Sequence, residues 1–383
     1  VQREEAIVDG GLFQGGIDAA LIQGYRSKTA TPRPEAKMGT HPIALAYLAK
    51  AKFPASTSWL LFAVRMPHYA IKRFMKGVGL PQSSSLPTLA FLGIGLMGKP
   101  MATRLLQAGY PLIAWNRSCA KADALAALGA CVATTPAEAV RDADIVITML
   151  EAGPIVAAVM ESAFPGLQRG ALVIDMSSTR QSEAQELCAK LASSGIAFID
   201  APVSGGVVGA EAGSLAIMAG GSSTDFKRAK PILSVMGRPT LVGPVGCGQI
   251  AKLCNQLIVG GTLSIIAEAL LLAQAGGADP VAVRAAIRGG FAESRILEVH
   301  GQRMLERNFL PGGQVKSQAK DLENVLDAAT AGGIRLPVTE LVTQCYRSIL
   351  LAGPKAEQAA AGRALEQMNL GKRVGCVEDK LPK

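Results

Sequence analysis

The sequence is poor in the residues that build many catalytic and metal sites. It has three histidines, His41, His68 and His300, in 383 residues. A catalytic relay built on histidine is therefore not expected, and no ligand cluster suggests a metal. The seven cysteines (Cys119, Cys131, Cys188, Cys247, Cys254, Cys345 and Cys376) include no C-x-x-C pair. That spacing indicates neither a zinc site nor a disulfide framework, and it fits scattered thiols in a reducing, cytoplasmic compartment. Aromatic residues make up only 4% of the chain. No basic stripe with interleaved aromatics stands out in its body, so nucleic acid is not an expected partner. No 18-residue run is free of charge and turn residues, so no membrane span or membrane partner is expected either.

What is present is a large apolar content, 49%, in a chain long enough for two domains with a sizeable core. The net charge of +9 is unevenly spread: residues 1–85 hold 11 Lys/Arg against 5 Asp/Glu. Residues 1–86 read as an N-terminal extension without a sustained helical or strand period, and disorder is the expectation for them. Ser58–Gly79 is an apolar and basic patch with Trp59, Leu60, Leu61, Phe62, Lys72, Arg73 and Lys76. It reads as an amphipathic surface helix or as an organelle-targeting segment. The first residue is Val1, which fits a fragment or translated sequence upstream of the true start.

The fold proper starts near Leu86 and is organised by LAFLGIGLMGKPMATRLLQAGYPLIAWNRS, residues 89–118. A short apolar run leads into Gly93, Gly95 and Gly98 in the spacing G-x-G-x-x-G. An amphipathic segment and a second apolar run, Pro111 to Trp115, follow. This is a βαβ unit with a dinucleotide-binding fingerprint. Gly93 permits the tight turn, Gly95 lets the backbone approach a pyrophosphate, and Gly98 lets the helix pack close to the sheet. The N–H groups of Leu96 and Met97, at the helix start, join the site. NAD enzymes usually place an acid at the end of the second strand to hold the ribose 2′-hydroxyl. Here Asn116, Arg117 and Ser118 stand there, and a guanidinium suits a 2′-phosphate. NADP(H) is therefore favoured over NAD(H).

Strands and helices then alternate: strands near Cys131–Ala133, Asp144–Leu150, Ala171–Met176 and Ile196–Asp200, with helices between. Thr135 is the expected N-cap of the helix opened by Pro136. The expectation is a Rossmann-type, doubly wound parallel sheet over residues 87–247. Ligands of such a sheet lie at the carboxyl ends of the strands, which places Leu150, Glu151 and Ser178 beside a cofactor. Next comes DAPVSGG. Ser204, Gly205 and Gly206 make either a carboxylate cradle of backbone N–H groups and a hydroxyl, or a plain glycine-rich turn.

From Gly243 the pattern changes to a long apolar helix, roughly 248–275, opening an all-α domain over residues 248–370, with 371–383 as a C-terminal tail. Lys252 and Asn255 interrupt the helix three residues apart, on one face. The lysine either snorkels to water or is a proton donor whose pKa partial burial lowers toward neutrality. Further on, Lys320-Asp321-Leu322 is either an exposed charge pair or a cation for a cofactor or substrate anion.

Taken together and in this order, FLGIGLMGKPMATRLL, DAPVSGG, GCGQIAKLCNQ and KDL resemble the β-hydroxyacid dehydrogenase family. That family includes 3-hydroxyisobutyrate dehydrogenases and tartronate semialdehyde (2-hydroxy-3-oxopropionate) reductases. The DMSS run and AIRGGFAESRIL (286–297) look most like the latter. The resemblance covers about residues 87–370. It implies a Rossmann domain, a long interdomain helix and an all-α domain through which homodimers or homotetramers form. It implies Lys252 as the catalytic lysine with Asn255 beside it, Ser204, Gly205 and Gly206 around the substrate carboxylate, and Leu150, Ser178 and Lys320 on the cofactor. The implied activity is NAD(P)-dependent reduction or oxidation of a small β-hydroxyacid or semialdehyde, in glyoxylate metabolism for the reductase branch. A 3-hydroxyisobutyrate dehydrogenase is the sibling alternative. A non-catalytic cofactor-binding interaction module is the alternative of another class, and the presence of Lys252 argues against it. The chain departs from the pattern at Glu151, where the family often has proline.

Overall fold

The computed structural model describes residues 86–310, 312–352, 357–375 and 377–382. The expectations for residues 1–85 and for Cys376 lie outside the described residues.

The first part is a sheet covered by helices on both faces. Its strands are β1 (Leu89–Leu92), β2 (Leu112–Trp115), β3 (Cys131–Val132), β4 (Ile145–Thr148), β5 (Leu172–Asp175), β6 (Ala197–Asp200), β7 (Val203–Ser204), β8 (Leu215–Gly220) and β9 (Gly237–Gly243). Their spatial order is β3-β2-β1-β4-β5-β6-β8-β7, with β9 paired to β8. The helices are α1 (Gly98–Gln107), α2 (Cys119–Ala126), α3 (Pro136–Val140), α4 (Gly153–Ala163), α5 (Gln181–Ala192), α6 (Gly206–Ala212) and α7 (Ser223–Met236).

The alternation of side chains along each strand explains the two covered faces. In β1, Leu89 and Phe91 join a core with Met101 and Leu105 of α1. Ala90 and Leu92 join a separate core with Val156 and Met160 of α4. In β4 and β5, Ile145, Ile147, Leu172 and Ile174 face the first core, and Val146 and Val173 the second. Burial on both faces is why these strands read as unbroken apolar runs. Each of these Leu, Ile, Val, Phe and Met side chains contributes about 1.5–3 kcal/mol by leaving water.

Strands β1 to β6 pair in parallel. This is the doubly wound parallel sheet expected from the sequence, with an antiparallel addition at its far edge, where β8 runs antiparallel to β6 and β7. The segment between β7 and β8 holds only the seven-residue α6, too short for the crossover that parallel pairing requires. Helix α7 was not legible in the sequence, because it is rich in charge and carries Pro231 inside it. It forms because the Ser222 side chain accepts the Asp225 N–H at its start, and it buries Ala229, Ile232, Leu233 and Met236. Thr135 caps α3 as its position before Pro136 suggests, its hydroxyl accepting the Glu138 N–H at 3.1 Å.

The second part is helical: α8 (Cys247–Ala275), α9 (Pro280–Ala286), α10 (Gln302–Leu305), α11 (Val315–Ala331), α12 (Pro337–Ala352) and α13 (Ala361–Met368). One stretch of α8 has a mean hydropathy of 1.8, enough by length and composition to cross a membrane, although Lys252 and Glu268 leave it without an uncharged run of 18 residues. Its packing accounts for part of that content. Leu263, Ile266, Ala267 and Leu270 enter a core with Phe309, Leu322 and Tyr346. The segment after α13 is fastened to this part. Arg307, buried and with φ of +52°, pairs with Asp379 at 2.7 Å and Glu366 at 2.5 Å, and the Lys380 N–H donates to the Arg307 carbonyl at 2.9 Å.

Candidate functional site

The site assembles where the carboxyl ends of the strands meet α8 and α11. At the glycine turn, the Gly93 N–H donates to the Trp115 carbonyl at 2.9 Å, and Gly93 has φ of +108°, a conformation that side chains disfavour. A Cβ on Gly98 would lie 1.9 Å from the Gly93 carbonyl oxygen, so α1 can approach this closely only with glycine there. A Cβ on Gly95 would meet nothing within 4 Å. Gly95 thus opens onto free space, as a cradle for a bulky anion requires. Leu96 is exposed and Met97 half-buried beside it. No side chain caps the start of α1; the Lys99 N–H donates to the Gly95 carbonyl at 3.0 Å and Pro100 has none, so the N–H groups before Lys99 are the ones open to a ligand.

Asn116 is occupied within the protein. Its Oδ1 accepts the Ile94 N–H at 2.9 Å and its Nδ2 donates to the Ser118 carbonyl at 3.0 Å, so it braces the glycine turn against the end of β2. Arg117 and Ser118 are exposed at this edge.

On the next loops, Leu150 N–H donates to Ser177 Oγ at 2.9 Å. Asp175 is fully buried and accepts from Thr148 Oγ1 at 2.7 Å and from the Ser177 N–H at 3.0 Å. Burial pushes its carboxyl up to about 6, against the pull of those hydrogen bonds. The 177–179 loop is tied to α8 by Gln249, whose Oε1 accepts the Thr179 N–H at 3.0 Å and whose Nε2 donates to the Ser177 carbonyl at 2.9 Å. The start of α8 is in turn held by Asp200 at the end of β6. That carboxylate accepts the Gly246 N–H at 2.7 Å and the Gln249 N–H at 2.9 Å. It satisfies two orphan donors and meets the positive end of the helix dipole. The loop bearing Ser178 is therefore fixed one turn from Lys252.

Lys252 is buried on α8. Its ammonium donates to Gln256 Oε1 at 2.9 Å. Burial lowers its pKa to about 8; Asp321 opposes that shift and Lys320 adds to it. The expected neighbour, Asn255, donates to the same Gln256 oxygen at 2.8 Å. Gln256 donates onward to Gln318 Oε1 at 2.9 Å and to Asp321 Oδ2 at 2.7 Å. The sequence marks Asp321 only as one half of an exposed charge pair, whereas it is buried, and it gives no role to Gln256, Gln318, Gln249, Asp175 or Asp200. The spacing of Gln256, four residues after Lys252 on a helix, was the available signal.

Lys320 reaches across to the strand ends. Its ammonium donates to the Ser178 carbonyl at 2.8 Å and the Glu151 carbonyl at 3.4 Å, and pairs with Asp321 at 3.1 Å. The departure at Glu151 has a partner: Lys316 of α11 meets its carboxylate at 2.6 Å. Ser204 lies on β7, which packs against α8, and Gly205 and Gly206 follow with φ of +135° and +62°. Both are exposed, so their N–H groups border the start of α6. No group of three or more His, Cys, Asp or Glu able to hold a metal occurs among the described residues.

Comparison with known proteins places this geometry in a family. Residues 88–251 match the NAD binding domain of 6-phosphogluconate dehydrogenase, and residues 246–365 match the NAD-binding domain of NADP-dependent 3-hydroxyisobutyrate dehydrogenase. The 2-hydroxy-3-oxopropionate reductase of Escherichia coli (strain K12) is 39% identical over 285 residues, which is 73% of this chain and 97% of that protein. Among solved structures, Mycobacterium tuberculosis 3-hydroxyisobutyrate dehydrogenase with L-serine is 31% identical, with a TM-score of 0.68 over 73% of this chain and 99% of that one. Psf3 in complex with NADP+ and 2-OPP is 26% identical, with a TM-score of 0.66 over 73% of this chain and all of that one.

Proposed function

The chain belongs to the β-hydroxyacid dehydrogenase family of NAD(P)-dependent oxidoreductases, and from that premise we propose that it reduces 2-hydroxy-3-oxopropionate to glycerate, with NADPH as the preferred reductant. The substrate choice is supported by the 39% identity to a 2-hydroxy-3-oxopropionate reductase. The cofactor choice is supported by Arg117, where an NAD enzyme usually has an acid.

The residues fit a dinucleotide. Gly95 opens onto free space, the start of α1 is uncapped, and Lys320 stands over the Ser178 carbonyl. When bound, the dinucleotide supplies hydride to the carbonyl carbon of the substrate. Lys252 then does the proton chemistry. With a pKa of about 8, its ammonium carries a proton at neutral pH and is acidic enough to give it up to a developing alkoxide. Gln256 holds that ammonium, and Asp321, reached through Gln256, helps keep it charged. The Ser204 hydroxyl and the N–H groups of Gly205 and Gly206 hold the substrate carboxylate, so that the aldehyde faces the cofactor. Asn255 orients the substrate beside Lys252.

The observation that carries the proposal is a buried lysine with a near-neutral pKa, tied by its neighbours to the cofactor loops. Lys252→Ala should lower kcat by about 10²–10⁴-fold with NADPH affinity unchanged, whereas a variant near the wild-type rate would remove Lys252 from the chemistry. Assays of tartronate semialdehyde against methylmalonate semialdehyde, each with NADPH and NADH, test the substrate. A second reading, oxidation of a β-hydroxyacid such as 3-hydroxyisobutyrate, is favoured by the similarity to the dehydrogenase holding L-serine, and preference for the second aldehyde would support it. Self-association into a dimer or tetramer is supported by Ile258, Ile265 and Leu272. They are seven residues apart on α8 and exposed to 60%, 60% and 74%. Light scattering of the purified chain reads that state directly.

A further inference from the structure

We propose that Gln249 is a positioning residue for the reduction: its amide fixes the distance between the proton donor on α8 and the loop after β5, which borders the hydride donor. The inference rests on the reductase reading above and adds to it a residue that acts through two others.

Gln249 has 0% exposure near the start of α8. An amide buried there needs partners for both of its ends. It finds them on either side of Ser178. Oε1 accepts the Thr179 N–H at 3.0 Å, and Nε2 donates to the Ser177 carbonyl at 2.9 Å. The side chain thus stands in for a backbone residue of a neighbouring strand. Its orientation is settled by its partners, because an N–H can only donate and a carbonyl can only accept. Among the described residues, these two bonds are the hydrogen bonds that join the loop to α8. The other bonds of the loop lead elsewhere. Ser177 meets Asp175 and Leu150, and the Ser178 carbonyl accepts from Lys320 of α11. The backbone of Gln249 is held as well, its N–H donating to Asp200 Oδ2 at 2.9 Å.

Lys252 lies three residues on, also buried, and about 4.5 Å further along the helix axis. A short path of one helical turn and one amide therefore joins Lys252 to the backbone at 177–179. A dinucleotide sits at loops of this kind, at the carboxyl ends of the strands. Reduction delivers hydride and proton to the two atoms of one carbonyl, and a misplacement of about 1 Å costs about 100-fold in rate. A side chain that only filled space would set no such distance.

The test compares the wild type with Gln249→Met, which has similar length and no amide, below the melting temperatures of both. Hydrogen exchange in the cofactor-free chain should quicken about tenfold or more at residues 177–179 and stay unchanged in α8 beyond Lys252. The kcat for whichever semialdehyde the wild type reduces should fall about 100-fold, with KM and the calorimetric affinity for NADPH within about threefold. Gln249→Asn keeps the amide one methylene short; if the methionine variant does not fold, it should show the same split between kcat and affinity. Ser222→Ala removes the cap of α7 and should lower the melting temperature without moving kcat. Wild-type kcat in Gln249→Met, unchanged exchange at 177–179, or a loss carried by NADPH affinity in place of kcat would overturn the proposal. So would a fall in kcat in Ser222→Ala as large as that in Gln249→Met. A wild-type chain that neither binds NADPH nor reduces either semialdehyde would instead remove the reductase reading on which the proposal rests.

Discussion

In the sheet part the groups poised for a ligand belong mainly to the backbone; in the helical part they are side chains. Around β1 and α1 the candidate contacts are N–H groups freed by glycines and by an uncapped helix start. Around α8 and α11 they are Lys252, Gln256, Gln318, Lys320 and Asp321, wired by bonds of 2.7–3.1 Å. The first kind of site depends on glycine spacing and the close packing it allows. The second depends on which polar side chains are buried together. The two parts should therefore respond differently to substitution.

The largest structural effect should come from Arg307, whose guanidinium is buried among Glu366 and Asp379. Arg307→Ala takes the paired cation from the nearly buried Glu366, while Asp379 keeps Arg363 and Arg373 at 3.0 Å, and should cost about 3 kcal/mol, read as a lowered midpoint in urea. If stability were unchanged, the ion-pair cluster would not be what holds the end of the chain to the helical part. Next come two glycines of one motif. Gly98→Ala drives a methyl into the Gly93 carbonyl and should cost about 3 kcal/mol. Gly95→Ala meets open space, so it should keep the wild-type melting temperature and lose nucleotide affinity. Equal destabilisation by both would mean that the two glycines do not divide the work of packing and binding. A smaller effect distinguishes the side-chain part. Asp321 raises the pKa of Lys252, so Asp321→Asn should lower it and move the alkaline fall in reductase activity to lower pH. A profile that stays in place would remove Asp321 from the proton chemistry. The smallest effect is expected at Arg180–Asp327, where both side chains are more than half exposed. Asp327→Asn should change stability by less than about 1 kcal/mol.

The same contrast explains what the sequence made legible. The strands β1, β4 and β5 and the turn at Gly93 and Gly98 follow from local patterns, because apolar runs and glycine spacing report directly on sheet and turn. Lys252 was visible as a charge in an apolar helix. Its partners were not, since Gln318 and Asp321 arrive from α11, more than sixty residues on, and no local period records that meeting. Glu151 looked like an unexplained acid for the same reason, its partner Lys316 lying 165 residues away. Asn255, the polar neighbour that drew notice, shares the Gln256 oxygen with Lys252 instead of meeting the ammonium itself. The antiparallel edge escaped notice because the length of a connection, rather than the composition of a strand, decides direction there.

The most direct test of the central claim, that Lys252 delivers a proton from a site that lowers its pKa, is the pH dependence of kcat/KM for aldehyde reduction. A general acid must be protonated to act, so the rate should be level on the acid side and fall as pH rises through about 8, tenfold per unit. A rate that stays level to pH of about 10, near the pKa of an ordinary lysine, would contradict the account.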